Sequence, residues 1–138
     1  MSDDAPCACT MLRRVTRAVT ATYDKALESS GLRITQFSVL RMLHRHGPMP
    51  VTQLAERVAL ERSTMGRNLN PLERRGLVRF EIGKVDQRER VAHLTSAGQA
   101  AIQLALPHWR ETQHRVGSLV DGAAIASLAD QIDDLHDN

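Results

Sequence analysis

Aromatic residues are scarce in this chain: Tyr23, Phe37, Phe80 and Trp109 make up 3% of its 138 residues. Its core must therefore be built from Leu, Val, Ile, Ala and Met, a palette that suits packed helices. Lysine is nearly missing too. Lys25 and Lys84 are the only two, and the other 16 of the 18 basic residues are arginine, whose planar fork suits bidentate anions such as phosphate. Cysteine occurs only as Cys7 and Cys9, too close together and too near the start to staple a fold. No apolar run approaches the roughly 20 residues that cross a bilayer, and the start lacks the charged and apolar segments of a signal peptide, so no membrane partner and a cytoplasmic location are expected. There is no glycine-rich phosphate loop. The nearest approach to a metal-binding spacing is His44-x-His46, whose side chains diverge on a helix and have no cysteine or carboxylate close by in sequence. That pair suits the negative end of a helix dipole instead, and no cofactor, metal or catalytic group is expected.

What is present is ordinary in amount and uneven in placement. Hydrophobic residues form 42% of the chain and the formal charge is +2. Folding at this length removes roughly two-thirds of the surface the unfolded chain exposes, enough for one core. Between residues 57 and 90, nine basic residues stand against five acidic ones, a net +4. From residue 91 onward two basic residues meet six acidic ones, a net −4. A basic middle and an acidic tail imply one face turned toward nucleic acid and another turned away.

Residues 1–6 are polar, end in proline and read as a loose tail. Leu12, Val15, Val19 and Ala26 then recur at helical spacing in a first helix to about residue 28, which Ser29-Ser30-Gly31 stops. Thr35 is the expected cap of a second helix carrying Phe37, Leu40 and Leu43 inward and ending at Gly47-Pro48. After a short extended piece at 49–51, Thr52 is expected to cap a brief third helix with Leu54, Ala55 and Val58. Ala59-Leu60 makes a tight turn, and a fourth helix at about 62–75 presents Met65, Leu69 and Leu72 on one side before Gly76 supplies a left-handed stop. Past Gly76 the period becomes two. Val78, Phe80 and Ile82 alternate with Arg79 and Glu81, 83–88 form a turn, and 89–94 return as the partner strand. Thr95 caps a fifth helix at about 96–119 that Pro107 should bend, and a last helix carries Ile125, Leu128, Ile132 and Leu135 as a stripe.

Helix, tight turn, helix and hairpin in that order suit insertion into a DNA groove. The apolar residues of 52–75 lock two short helices together, and the second offers Arg62, Ser63, Thr64, Arg67 and Asn68 at its N-terminal end, side chains able to reach base edges or phosphate in the major groove. Arg74, Lys84, Asp86, Arg88 and Arg90 complete the candidate DNA-binding set. Arg88 at the hairpin tip is expected to enter the minor groove, with Asp86 holding its guanidinium.

The chain resembles the MarR family of bacterial winged helix-turn-helix regulators. The resemblance rests on Leu54-Ala55, on Glu61-Arg62-Ser63-Thr64-Met65, on Leu72-Glu73-Arg74-Arg75-Gly76-Leu77-Val78, on Asp86-Gln87-Arg88 and on Leu94-Thr95-Ser96-Ala97-Gly98. It implies a mainly α fold with a small β-hairpin wing: one domain over 1–138, with 35–95 as the winged helix-turn-helix lobe and 8–34 and 96–138 as dimerisation helices. It implies a homodimeric repressor of a palindromic double-stranded operator, released by a small aromatic or acidic effector for which Arg13, Arg17, Tyr23 and His44 are candidate contacts. Independently, one reading head makes too few phosphate contacts for tight binding at cellular salt, and the terminal helices carry more apolar surface than the lobe can cover. Cys7 and Cys9 are candidates for an oxidant switch, against the plainer reading of two inert small residues. The alternative function is a winged-helix protein-interaction module without specific DNA binding.

Overall fold

The computed structural model describes residues 3–136; residues 1, 2, 137 and 138, part of the expected tail and domain span, lie outside the described residues. Helix α1, Ala8–Ala26, buries only Tyr23, near its C-terminal end. It tightens into a 3-10 turn, Glu28–Ser30, and Gly31 ends the run at φ +74°, as the Ser-Ser-Gly pattern suggests. Asp24 at the end of α1 accepts the Ile34 amide at 2.8 Å and so fixes where α2, Ile34–His46, begins. The residue before α2 is Arg33, not the expected cap Thr35; the Gln36 side chain accepts the Arg33 amide at 3.0 Å, which leaves the Thr35 hydroxyl free for another partner.

The short extended piece is a third strand. Strand β1, Met49–Pro50, pairs antiparallel with β3, Arg90–Leu94, which in turn pairs with β2, Val78–Ile82, giving the order β1-β3-β2. Helix α3, Val51–Arg57, starts one residue before the expected Thr52 cap, with Pro50 in the capping position and no side-chain cap bond. Ala59 then turns the chain at φ +56°, a left-handed conformation that costs a Cβ-bearing residue about 1 kcal/mol. Helix α4, Arg62–Arg74, continues through Pro71, whose missing amide deletes the one helical bond that would reach the Arg67 carbonyl. Gly76 stops it at φ +73°, as expected.

Thr95 caps α5, Ser96–Gly117, accepting the Gly98 amide at 3.0 Å while its own hydroxyl donates to the Gly76 carbonyl at 2.6 Å. The helix runs unbroken through Pro107. Phe37, Leu40, Leu54, Met65, Leu69 and Leu72 are almost fully buried and come from α2, α3 and α4, so the core lies under α4. Each such side chain contributes about 1.5–3 kcal/mol, which makes α4 a stiff platform. Helix α6, Gly122–His136, is different: none of its described residues is buried.

Candidate nucleic-acid interface

The N-terminal end of α4 stands clear of the core because its inward positions, Met65, Leu69 and Leu72, fall on one side. Arg62, Ser63 and Arg67 are exposed on the other, and Thr64 is half-buried between them. The hairpin lies beside this end. A cleft of about 510 Å³ is lined by Pro50, Val51, Thr52 and Glu89 together with Arg62, Asp86, Arg88 and Arg90, so four of the expected site residues meet across one groove although up to 28 positions separate them in sequence. The wing tip is ordered as the sequence suggests: Asp86 Oδ1 accepts the Arg88 amide at 3.0 Å and its Nε at 3.3 Å, leaving the Arg88 side chain 93% exposed. Arg90 packs its guanidinium over the Phe80 ring at 4.1 Å, which steadies a cation that remains exposed to solvent.

Three expected residues sit elsewhere. Lys84 projects from the hairpin turn beside the fully exposed Val85. Arg74 occupies the last turn of α4, about 18 Å along the axis from Arg62, and so belongs to the opposite end of the helix. Asn68 corrects the sequence expectation. It is buried, its Oδ1 accepts the Thr35 hydroxyl at 2.7 Å and its Nδ2 donates to the Thr64 carbonyl at 2.8 Å, so its hydrogen-bonding groups are spent inside the lobe. The signal was present in the spacing: residue 68 lies three after Met65 and four before Leu72, on the apolar stripe.

On the wing, the Arg79 guanidinium bonds the Glu81 carboxylate and, with His93 and Lys84, holds its pKa below the usual carboxylate range. At the other end of the molecule Cys7 precedes α1 and Cys9 lies in its first turn; both are exposed free thiols. The Thr10 backbone amide and hydroxyl hold the Cys7 thiol below its ordinary pKa, and Arg13 donates to Cys9 Sγ at 3.4 Å.

Of the candidate effector contacts, Tyr23 is buried with its hydroxyl donating to Gln113, and burial pushes its pKa up. Arg13, Arg17 and His44 are exposed. A group the sequence reading missed lies between α2, α3 and α5. Arg41, Arg45 and Arg57 line a cleft of about 210 Å³ beside Trp109, with the Arg41 guanidinium 4.5 Å from the centre of the indole ring. Desolvation and the nearby Arg45 push the Arg41 pKa down. None of the three has a carboxylate within ion-pair distance among the described residues.

Large apolar side chains are exposed on the remaining helices: Val15 on α1, Leu104 on α5, and Ile125, Leu128, Ile132 and Leu135 along α6. A mostly apolar groove of about 390 Å³ runs between α1 and the end of α5, past Val15, Val19, Val116 and Leu119. No helix among the described residues is long and apolar enough to cross a membrane.

The model of the MarR family matches residues 32–89, the stretch that carries α2 to the hairpin turn. The chain is similar to the crystal structure of the M. tuberculosis transcriptional regulator MosR in complex with DNA, with 38% identity, a TM-score of 0.81, and coverage of 94% of this chain and 98% of that one. It is 30% identical over 96 residues to an uncharacterised HTH-type transcriptional regulator of Bacillus cereus, covering 70% of this chain and 63% of that protein. It is 32% identical over 92 residues to the HTH-type transcriptional regulator MgrA of Staphylococcus aureus, covering 66% and 63%. The matched stretch spans under two-thirds of the length of these curated relatives.

Proposed function

This chain belongs to the MarR family, and on that premise we propose that it is a homodimeric, non-enzymatic repressor that binds a palindromic double-stranded operator through α4 and the wing. The observation that carries the reading is the shared groove in which Arg62 at the start of α4 faces Arg88 and Arg90 of the hairpin. A helix N-terminus with exposed Arg62, Ser63 and Arg67 fits the major groove, where arginine pairs bidentately with guanine. An arginine held by Asp86 at the tip of a narrow hairpin fits the adjacent minor groove. Similarity to a regulator solved in complex with DNA supports the same partner here.

Dimerisation is supported by α6. A 15-residue helix with none of its described residues buried does not hold itself in water, and its apolar stripe needs a cover. The groove between α1 and α5 on a second copy offers one, so residues 8–34 and 96–138 form the dimer region and 35–95 the reading lobe.

Two signals have specific support. The cleft of Arg41, Arg45 and Arg57 is a place where like charges converge without a counter-anion, and a small acidic effector relieves that repulsion. At Cys7 and Cys9, peroxide as oxidant takes two electrons and two thiol protons, forming a disulfide and two waters; the lowered Cys7 pKa favours the attacking thiolate. Operator affinity that peroxide lowers in the wild type but not in Cys7→Ser supports that signal, and identical curves end it.

Selection of bound duplexes from a random pool tests the main reading. The expected product is an inverted repeat with half-sites about one helical turn apart. A pool that never departs from random leaves the protein-interaction alternative in its place.

A further inference from the structure

Two side chains tie α4 to the junction between α1 and α2. At its middle, buried Asn68 takes the Thr35 hydroxyl at 2.7 Å and holds the Thr64 carbonyl at 2.8 Å. At its C-terminal end, the Arg75 guanidinium donates to the Gly31 carbonyl at 2.8 Å. Residues 68 and 75 are two helical turns apart and so lie on the same side of the helix, about 10 Å from each other. Their partners are also neighbours: Gly31 and Thr35 flank the start of α2, which Asp24 of α1 anchors through the Ile34 amide at 2.8 Å. One attachment would leave α4 a pivot; two, to a segment itself bolted to α1, remove both tilt and slide.

Thr35 and Asn68 spend polar groups where apolar ones would pack as well. Met65, Leu69 and Leu72 already bury α4 against the core, and an apolar contact of that kind resists separation more than rotation. Hydrogen bonds are directional, so they define the angle of the helix rather than its adhesion. The lever is long. A tilt of about 10° around the Arg75 end moves Arg62 by roughly 3 Å, close to the 3.4 Å rise of one base step.

We infer that Thr35, Asn68 and Arg75 are positioning residues that fix the tilt of α4 against the α1–α2 junction and thereby set the half-site spacing of the operator. The inference rests on the dimeric DNA-binding reading, because spacing has a meaning only when two reading heads are joined through α1. It requires that relaxing the ties widens the range of spacings accepted, while contact with a single half-site stays as it was.

The test uses the duplex that the wild type selects and two versions with one base pair added to or removed from the spacer, with affinity read by fluorescence anisotropy for wild type, Thr35→Val and Arg75→Ala. Wild type is expected to prefer its own spacing by about tenfold or more, and the variants to narrow that preference to about threefold or less, with unchanged affinity for an isolated half-site. Arg75 is exposed, so its variant keeps the test open if Thr35→Val folds poorly. Equal proportional losses on all three duplexes would overturn the inference, as would a wild type indifferent to spacing. A wild type that selects no duplex at all instead sinks the regulator reading on which it stands.

Discussion

Replacing Gly98 by alanine probes how closely α5 is pressed onto the wing. A Cβ at this position would lie 2.2 Å from the Leu77 carbonyl oxygen and 2.5 Å from Leu94 Cδ1. The leucine methyl can rotate away, but the carbonyl is backbone, and it already accepts the Thr95 amide at 3.2 Å. The first turn of α5 must therefore retreat by roughly 1 Å to restore van der Waals distance. Retreat pulls the Gly98 amide from Thr95 Oγ1, now at 3.0 Å, and strains the Thr95 bond to Gly76. Overpacking of this kind costs about 1–3 kcal/mol and a weakened cap about 1 kcal/mol, while the helix propensity gained returns about 1 kcal/mol. The net expectation is a loss of about 1–3 kcal/mol, or a Tm lower by roughly 3–12 °C. Thermal melts followed by circular dichroism measure it, at one fixed protomer concentration because the proposed dimer would melt in a concentration-dependent way. A variant melting within about 2 °C of wild type would refute the close approach on which the argument depends.

Other perturbations have signs set by the same geometry. Ala59→Gly relieves a left-handed Cβ at φ +56° and should stabilise the protein by about 0.5–1 kcal/mol, read by urea unfolding; a destabilised variant would mean the turn is built differently. Arg67→Ala should lower discrimination between the selected operator and random DNA by about 1–3 kcal/mol, with unchanged discrimination removing α4 from the major groove. Arg88→Ala should weaken binding to all sequences and reduce the salt slope by about 2, one contact from each of two heads, whereas an unaltered slope would place the wing tip away from phosphate. Because Arg79 depresses the Glu81 pKa, the stability that this carboxylate lends the wing is present above its unfolded pKa and is lost as pH falls through the lowered folded value. Amide exchange along β2 should accelerate in that acid window in the wild type and not in Glu81→Gln.

Most of the fold was legible because local chemistry and tertiary need agree along this chain. Gly31 and Gly76 stop helices at positive φ where the sequence puts them, and Thr95 caps α5 because its hydroxyl oxygen accepts the Gly98 amide while its hydrogen goes to the Gly76 carbonyl. Thr35 and Thr52 look equally good as caps from sequence. Thr35 falls inside α2 because Asp24 of α1 accepts the Ile34 amide and starts the helix before it, and α3 begins earlier because Met49 and Pro50 are fixed by pairing with β3. Both are contacts between elements that the residues of one helix do not reveal. Asn68 was read as a reader of bases from its residue type, when its register with Met65 and Leu72 marks it as buried. The Arg41, Arg45 and Arg57 cleft was not legible, since it joins three helices across 68 positions up to Trp109. By contrast the nearness of Arg62 and Arg88 agrees with the order of elements, in which the hairpin directly follows α4.

The central claim is that two identical basic heads, held together by α1, α5 and α6, grip one duplex. Stoichiometric titration of a selected operator, followed by sedimentation across a range of salt, addresses it directly. The account predicts two protomers per duplex and a log–log salt slope of about −5 or steeper, corresponding to some three phosphate contacts from each head. One protomer per duplex, or affinity that salt leaves unchanged, would contradict it.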